Sequence, residues 1–174
     1  MSRLINVCAV VLLLAAGCSD ASQPTRPPVV VTTSVSTTGC ADASFKDPTG
    51  VYCVVVPQGY KPVAPAAAAD GVASDRWTGP GGFTFAIDSW DAGRPGHTLN
   101  DVKASFEQTR AGQHLLESAT LAGAGRYERL HNPETNHYSM RSVVQIGGKV
   151  VECQAEYDTP LNPNDACKTL RSQH

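Results

Sequence analysis

Cysteine, histidine, arginine and carboxylate carry the chemistry this chain can offer, and their spacing limits what that chemistry is. Beyond the first 39 residues stand Cys40, Cys53, Cys153 and Cys167. An even number with no CxxC points to two disulfides rather than to a redox centre or a zinc ribbon, and four cysteines allow three pairings. His131 and His137, set opposite each other across a predicted hairpin with Glu156 on the neighbouring strand, form a metal-like cluster. Two imidazoles fall short of the three or four ligands a zinc site needs, so no metal is expected and the pair stands only as weak candidates. Arg129 and Arg141 would share a sheet face with Glu152 and Glu156, as cross-strand ion pairs or as a patch for an anion or a partner. Ser, His and Asp are present without a GxSxG elbow or an HExxH helix. Asp88 and Asp91 flank Trp90 and read as carboxylates solvating a turn rather than as an acid–base pair. Trp77, Trp90 and Tyr60 lie near predicted loops; exposed together they would mark a binding surface, and buried they would be core. No catalytic residue and no enzymatic activity is expected.

The chain that must position these groups has 174 residues, 41% hydrophobic and 17% charged. The 135 residues after Gly39 suffice for one hydrophobic core and one domain. Arg3 is the only charged residue of the first 17, so the chain from Cys18 onward carries 16 acidic against 13 basic groups. A net charge near −3 argues against nucleic acid, whose binders neutralise phosphates with a basic surface.

Residues 1–17 read as an export signal. Met1-Ser2-Arg3 supplies a positive charge, and Leu4 to Ala16 is apolar except for Asn6. As a helix this stretch would span roughly 20 Å, too short for a ~30 Å hydrocarbon core. A cleaved signal with small residues before the cut fits better, and Cys8 would leave with it. Leu14-Ala15-Ala16-Gly17-Cys18 resembles the lipobox of bacterial lipoproteins, although Ala15 occupies the place where leucine is commonest. The resemblance implies a diacylglycerol on the Cys18 thiol and an acyl chain on its freed amine, the covalent lipid being the only cofactor. Two or more chains give stable anchoring where one gives reversible binding. The competing reading is an ordinary secretory signal cut near Cys18. Ser19 in place of an aspartate tilts the location toward the periplasmic face of the outer membrane, with the outer face of the cytoplasmic membrane as the alternative.

Residues 18–39 follow as a lipidated cysteine and a tether. Ser19 to Gly39 holds Pro24, Pro27 and Pro28 among many Ser and Thr and lacks helical periodicity. Such composition favours an extended, disordered spacer with a reach on the order of 25 Å. Val29 to Thr33 has strand propensity and offers an edge strand as the alternative.

Residues 40–174 read as a single α+β domain. Asp47-Pro48-Thr49-Gly50 is a turn that returns the chain toward Cys53, favouring a Cys40–Cys53 pair. Gly50 to Pro57 and Ser74 to Thr78 have strand character, and Val63 to Gly71 reads as a surface loop. Gly79-Pro80-Gly81-Gly82 is a tight turn without the lysine and hydroxyl of a phosphate loop. Phe83, Phe85 and Ile87 alternate with polar or small residues, the pattern of a half-buried strand. Thr98 and Asp101 form a capping box ahead of Leu99, Val102 and Phe106, a helix closed by Gly112 with Lys103, Glu107 and Arg110 outward. From His114 to Asp158 four strands are expected. Gly147-Gly148 sets Ile146 opposite Lys149, and a loop over Asn132 to Asn136 sets His131 opposite His137. These registers put Leu130, Tyr138, Met140, Ser142, Val144, Val151, Cys153 and Ala155 on one face. Arg129, His131, His137, Ser139, Arg141, Glu152, Gln154 and Glu156 take the other. Asn162-Pro163-Asn164-Asp165 reads as the start of a C-terminal helix carrying Cys167 and Leu170, which would cover Cys153 and permit a Cys153–Cys167 bridge.

Strands, helix, four strands, helix, with Val56-Pro57-Gln58-Gly59-Tyr60 closing the first long strand, resemble the PsbP-like superfamily. It includes the Ran-binding Mog proteins and the bacterial DcrB and LpqN lipoproteins. The resemblance implies an antiparallel sheet of about six to eight strands packed with one central and one C-terminal helix. It also implies a binding or assembly module without catalytic residues of its own; the cysteines lie outside the pattern. The expectation is therefore a non-enzymatic envelope lipoprotein, held to the membrane through its lipid, that binds an envelope protein or cell-wall partner. The alternative is a periplasmic carrier of a small ligand or metal.

Overall fold

Branched and aromatic residues at alternate positions, cut by Gly- and Pro-bearing turns, favour extended chain that pairs with its neighbour. The computed structural model describes residues 39–64, 70–158 and 165–174. In chain order they form β1 (Phe45–Lys46), β2 (Tyr52–Val54), β3 (Lys61–Pro62), β4 (Ala73–Thr78) and β5 (Thr84–Asp91). Helix α1 (Leu99–Gln108) follows, then β6 (His114–Leu121), β7 (Gly125–Asn132), β8 (His137–Ile146), β9 (Lys149–Tyr157) and β10 (Arg171–Ser172). The expected signal, the lipidation site Cys18 and the tether up to residue 38 lie outside the described residues, as does most of the Val63 to Gly71 loop. No helix among the described residues is long and apolar enough to cross a membrane.

The strands make two antiparallel sheets, one of seven strands in the order β3-β4-β5-β9-β8-β7-β6 and one of three in the order β1-β2-β10. One face of the large sheet carries Phe85, Ile87, Met140, Val144, Val151 and Cys153 against Tyr52 and Val54 of the small sheet and Ala166, Cys167 and Leu170. The other face is covered at one end by α1, whose Val102 and Phe106 pack on Trp90, Val143 and Val150. Both faces of β5 are thus used, Phe85 and Ile87 inward on one side and Trp90 on the other.

Helix α1 begins where the capping box places it. The Thr98 hydroxyl accepts from the Asp101 amide at 3.3 Å, and the Thr98 amide donates to Asp101 at 2.9 Å. It ends at Gln108 rather than at Gly112, with Thr109 as the C-cap. Arg110, expected to face solvent, turns back onto the sheet.

Three further expectations are corrected. The architecture is two sheets rather than one. Among the described residues no C-terminal helix is formed: the chain makes a four-residue 3-10 turn (Ala166–Thr169), after which Arg171 and Ser172 extend to pair with Cys53 and Tyr52. Pairing of Arg171 and Ser172 with β2 takes the place of further helical turns. The third correction is the β7–β8 register. Asn132, not His131, lies opposite His137, and His131 pairs with Tyr138. Asn132 Oδ1 accepts from the Glu134 amide at 2.9 Å and Asn136 takes a φ of 56°, closing a four-residue loop where a five-residue one was expected. A one-residue slip turns the whole strand over. Arg129 and His131 therefore share the face of Tyr138 and Met140, and Leu130 shares that of Ser139 and Arg141. The β8–β9 turn falls as expected, with Ile146 opposite Lys149 and Gly147 at a φ of 56°, where a glycine is unstrained.

Candidate functional site

A ten-residue helix cannot span a seven-stranded sheet, and the part of the outer face that α1 leaves uncovered is the candidate site. Alternation along β8 and β9 projects Ser139, Arg141, Glu152, Gln154 and Glu156 to this side, and Gln113 reaches it from the turn after α1. These residues line a groove of about 290 Å³. It continues past Thr135 and His137 into a second hollow of about 270 Å³, and Gln113, Ser139 and Glu156 line both.

Arg141 is committed to the fold beneath this groove. Its Nη2 lies 2.8 Å from Glu128 Oε2 and donates also to the carbonyl of Phe106, and its Nη1 donates to Thr109. Its guanidinium carbon stands 4.2 Å over the Phe106 ring. Glu128 itself is 0% exposed and is held as well by Arg110, Nε at 3.1 Å, and by Arg126, Nε at 2.7 Å. Burial pushes the Glu128 carboxyl up, but the surrounding guanidiniums outweigh that and hold it below its ordinary value. Sequence reasoning missed this cluster. Its signal, a glutamate within a strand flanked by Arg126 and Arg129, has meaning only once register assigns faces.

The polar groups left to the groove wall are therefore acids and amides, set beside the apolar Phe106, Leu130 and Ala155. Glu152 is paired cross-strand with Asp88, and burial first, then that like charge, raises its carboxyl above the ordinary glutamate range. Gln154 donates to Glu152 at 2.8 Å, and Asp88 is tied to Ser74 at 2.6 Å and to Arg76 at 3.1 Å. Asp91 points to the opposite side of β5 and binds Lys149 at 2.8 Å, so Asp88 and Asp91 do not form a carboxylate pair. The arrangement offers hydrogen-bond acceptors and donors along a line, suited to recognising an extended polar segment.

The other predicted site residues are distributed elsewhere. Arg129 does not join Arg141 in a patch; it lies across the sheet, 3.7 Å from Glu117 and 3.8 Å from Asp165. There Lys168 also binds Asp165 at 3.1 Å and caps the Tyr127 ring. Trp77 and Trp90 are core rather than binding surface, at 5% and 4% exposure. Trp77 packs edge-on against Phe45 at 4.9 Å, and the Trp90 indole donates to the His97 carbonyl at 2.6 Å. Tyr60 donates to the Glu156 carbonyl at 2.6 Å and lies over Gly79, where a Cβ would come within 2.4 Å of its ring. The Val-Pro-x-Gly-aromatic turn thus fastens the β2–β3 connection to the large sheet. His131 stacks on Tyr138 at 4.5 Å, within a cross-strand row running from His114 to Tyr157, while His137 meets Phe83 edge-on at 5.2 Å. No group of three or more His, Cys, Asp or Glu among the described residues is placed to hold a metal ion. The cysteines pair as Cys40–Cys53 and Cys153–Cys167, with Cα separations of 6.0 and 5.4 Å.

No family model and no curated protein matches the chain. Among solved structures it is similar to the solution structure of cyanobacterial PsbP (CyanoP) from Synechocystis sp. PCC 6803, at 14% identity with a TM-score of 0.45, covering 64% of this chain and 77% of that one. It is also similar to a crystal structure from Bacteroides thetaiotaomicron VPI-5482, at 14% identity with a TM-score of 0.43, covering 75% of this chain and 48% of that one.

Proposed function

We propose that this chain is a non-enzymatic envelope lipoprotein, anchored through acyl chains on Cys18, whose PsbP-like module binds a protein or cell-wall partner along the groove beside α1. The observation that carries the reading is the groove that α1 leaves open, among the described residues, on the large sheet's outer face, its polar groups running from Gln113 through Ser139 to Glu156. A sheet face that its helix covers only in part, and that presents carboxylates and amides there, offers a surface for a partner. The PsbP-like assignment is supported by the order of elements and by the Val56 to Tyr60 turn, and the anchor by the apolar run ending in Ala16-Gly17-Cys18. The tether would carry the module clear of the headgroups, at the periplasmic face of the outer membrane.

Two experiments test this. A photo-crosslinking residue at Ser139 in the full-length chain should give one stoichiometric adduct in intact cells, whereas the same probe at exposed Glu134 should give little. Equal labelling at both positions, or none at Ser139, would count against the groove. Separately, Cys18→Ala should release the chain from membranes and alter its electrophoretic mobility. A variant that stays membrane-bound with unchanged mobility refutes the anchor.

A further inference from the structure

The large sheet carries a second cleft on its other face, at the far end of β8. It lies between the turn Ala122–Ala124, the Gly147 turn and the C-terminal segment, and has a volume of about 190 Å³. Leu121, Val144, Ile146 and Leu170 make its walls apolar, and Lys168 and Arg171 supply its cations. Leu121, Val144 and Leu170 are 6%, 4% and 4% exposed, so these walls are continuous with the core rather than loose surface.

The two cations differ. Lys168 is neutralised by Glu117 and Asp165 and rests on the Tyr127 ring. The Arg171 side chain is only 10% exposed, and its one carboxylate partner among the described residues, Asp42 at Nη2, is 71% exposed. Arg171 Nε is buried without a hydrogen-bond partner among the described residues. A buried donor left unsatisfied costs about 1–3 kcal/mol, and a guanidinium recovers most when it meets a carboxylate through two donors. Strand pairing of Arg171 with Cys53, itself bridged to Cys40, prevents the side chain from withdrawing into solvent by a backbone shift.

We propose that this cleft is a binding site for a small amphiphilic carboxylate, its head on Arg171 and its aliphatic or aromatic body against Leu121, Val144, Ile146 and Leu170. The volume lies below the about 300–1,000 Å³ of drug-sized sites, which limits the body to a short one. An apolar wall beside a single incompletely paired guanidinium favours an acid with an apolar body over a fully polar anion, and over a neutral apolar molecule of the same length. The site is separate from the groove beside α1 and does not depend on lipidation.

The probe is sodium octanoate, titrated into isotope-labelled full-length chain carrying Cys18→Ser, so that no covalent acyl group competes. Saturable shifts are expected at the methyls of Leu121, Val144, Ile146 and Leu170 and at the Arg171 Nε–H. Octanol and acetate should bind at least tenfold more weakly. Arg171→Gln should weaken octanoate at least tenfold and leave octanol unchanged. Asp42→Asn, which removes the exposed competitor, should tighten octanoate, and this arm remains decisive if Arg171→Gln does not fold. Octanol binding as well as octanoate, the absence of saturable shifts, or an Asp42→Asn variant that binds no tighter would overturn the proposal.

Discussion

Glu128→Ala is expected to destabilise the domain by about 3–5 kcal/mol, the usual loss when one partner of a buried ion pair is removed. Glu128 is completely buried and compensates Arg110, Arg126 and Arg141 together. Without it, three guanidiniums are left crowded at the sheet, and Arg141, whose side chain is only 13% exposed, loses its carboxylate partner in a largely buried position. The loss also loosens α1, because Arg141 reaches from the sheet to the Phe106 carbonyl and Arg110 belongs to the turn that leaves the helix. Urea midpoints at neutral pH measure the effect. Glu107→Gln is the control: its carboxylate meets Arg126 at 2.9 Å but is 64% exposed, and surface pairs contribute about 0–1 kcal/mol.

The same residue sets a pH dependence whose sign follows from linkage. The Glu128 carboxyl is held below its ordinary value of 4.5 in the folded protein. A carboxyl depressed on folding contributes stability that is present above the unfolded value and is lost as pH falls through the folded one. Wild-type stability should therefore decline below pH 4.5. Glu128→Gln, which keeps the shape without the charge, should be weaker at pH 7 and show a flatter acid limb. Parallel acid limbs for the two proteins would contradict the role assigned to this carboxylate.

Loss of the Cys153–Cys167 disulfide should cost about 3 kcal/mol in the chain-entropy model, for a sequence separation of 14. At about 2–4 °C per kcal/mol for a chain of this size, the Cys153→Ala/Cys167→Ala protein should melt about 10 °C lower by calorimetry. Both cysteines are 0% exposed, so the change also removes atoms from the centre of the core. More is at stake than entropy. Cys167 sits in the 3-10 turn that leads into β10, and β10 is the third strand of the small sheet. Without the bridge, the Ser142 hydroxyl's bond to the Cys167 carbonyl at 2.7 Å, the Thr169 hydroxyl's bond from the Val55 amide at 2.8 Å and the β10–β2 pairing would have to hold this segment in register. Amide exchange at Gln173, whose N–H bonds the Val51 carbonyl at 3.3 Å, should speed up in the variant. Unchanged protection there would show that β10 docks without the bridge.

The local disulfide pairing was legible in the sequence because a turn at Asp47 to Gly50 and the strand position of Cys153 each leave a nearby partner. The start of α1 was legible because Thr98 and Asp101 satisfy each other's backbone within four residues. The β8–β9 register was legible because a Gly-Gly pair admits few hairpin geometries. The β7–β8 register was not: the loop after Asn132 closes in four residues or five depending on whether Asn136 takes a left-handed conformation, and the two choices turn opposite faces of β7 to the core. That one residue moved Arg129 away from Arg141 and brought Glu128 under the helix.

By itself, then, the sequence determined what short-range physics controls: the existence of strand β5, the helix cap, the glycine turn, the cysteine pairs and the acidic balance of the chain. Tertiary structure alone decided that the last segment is a strand rather than a helix, that Trp77 and Trp90 are core, and that a buried glutamate joins three arginines. Each of these depends on which distant surface a residue meets, and a single strand's own residues do not hold that information. The polar groove and the apolar cleft arise the same way, as the parts of one sheet that a short helix and a small second sheet leave open.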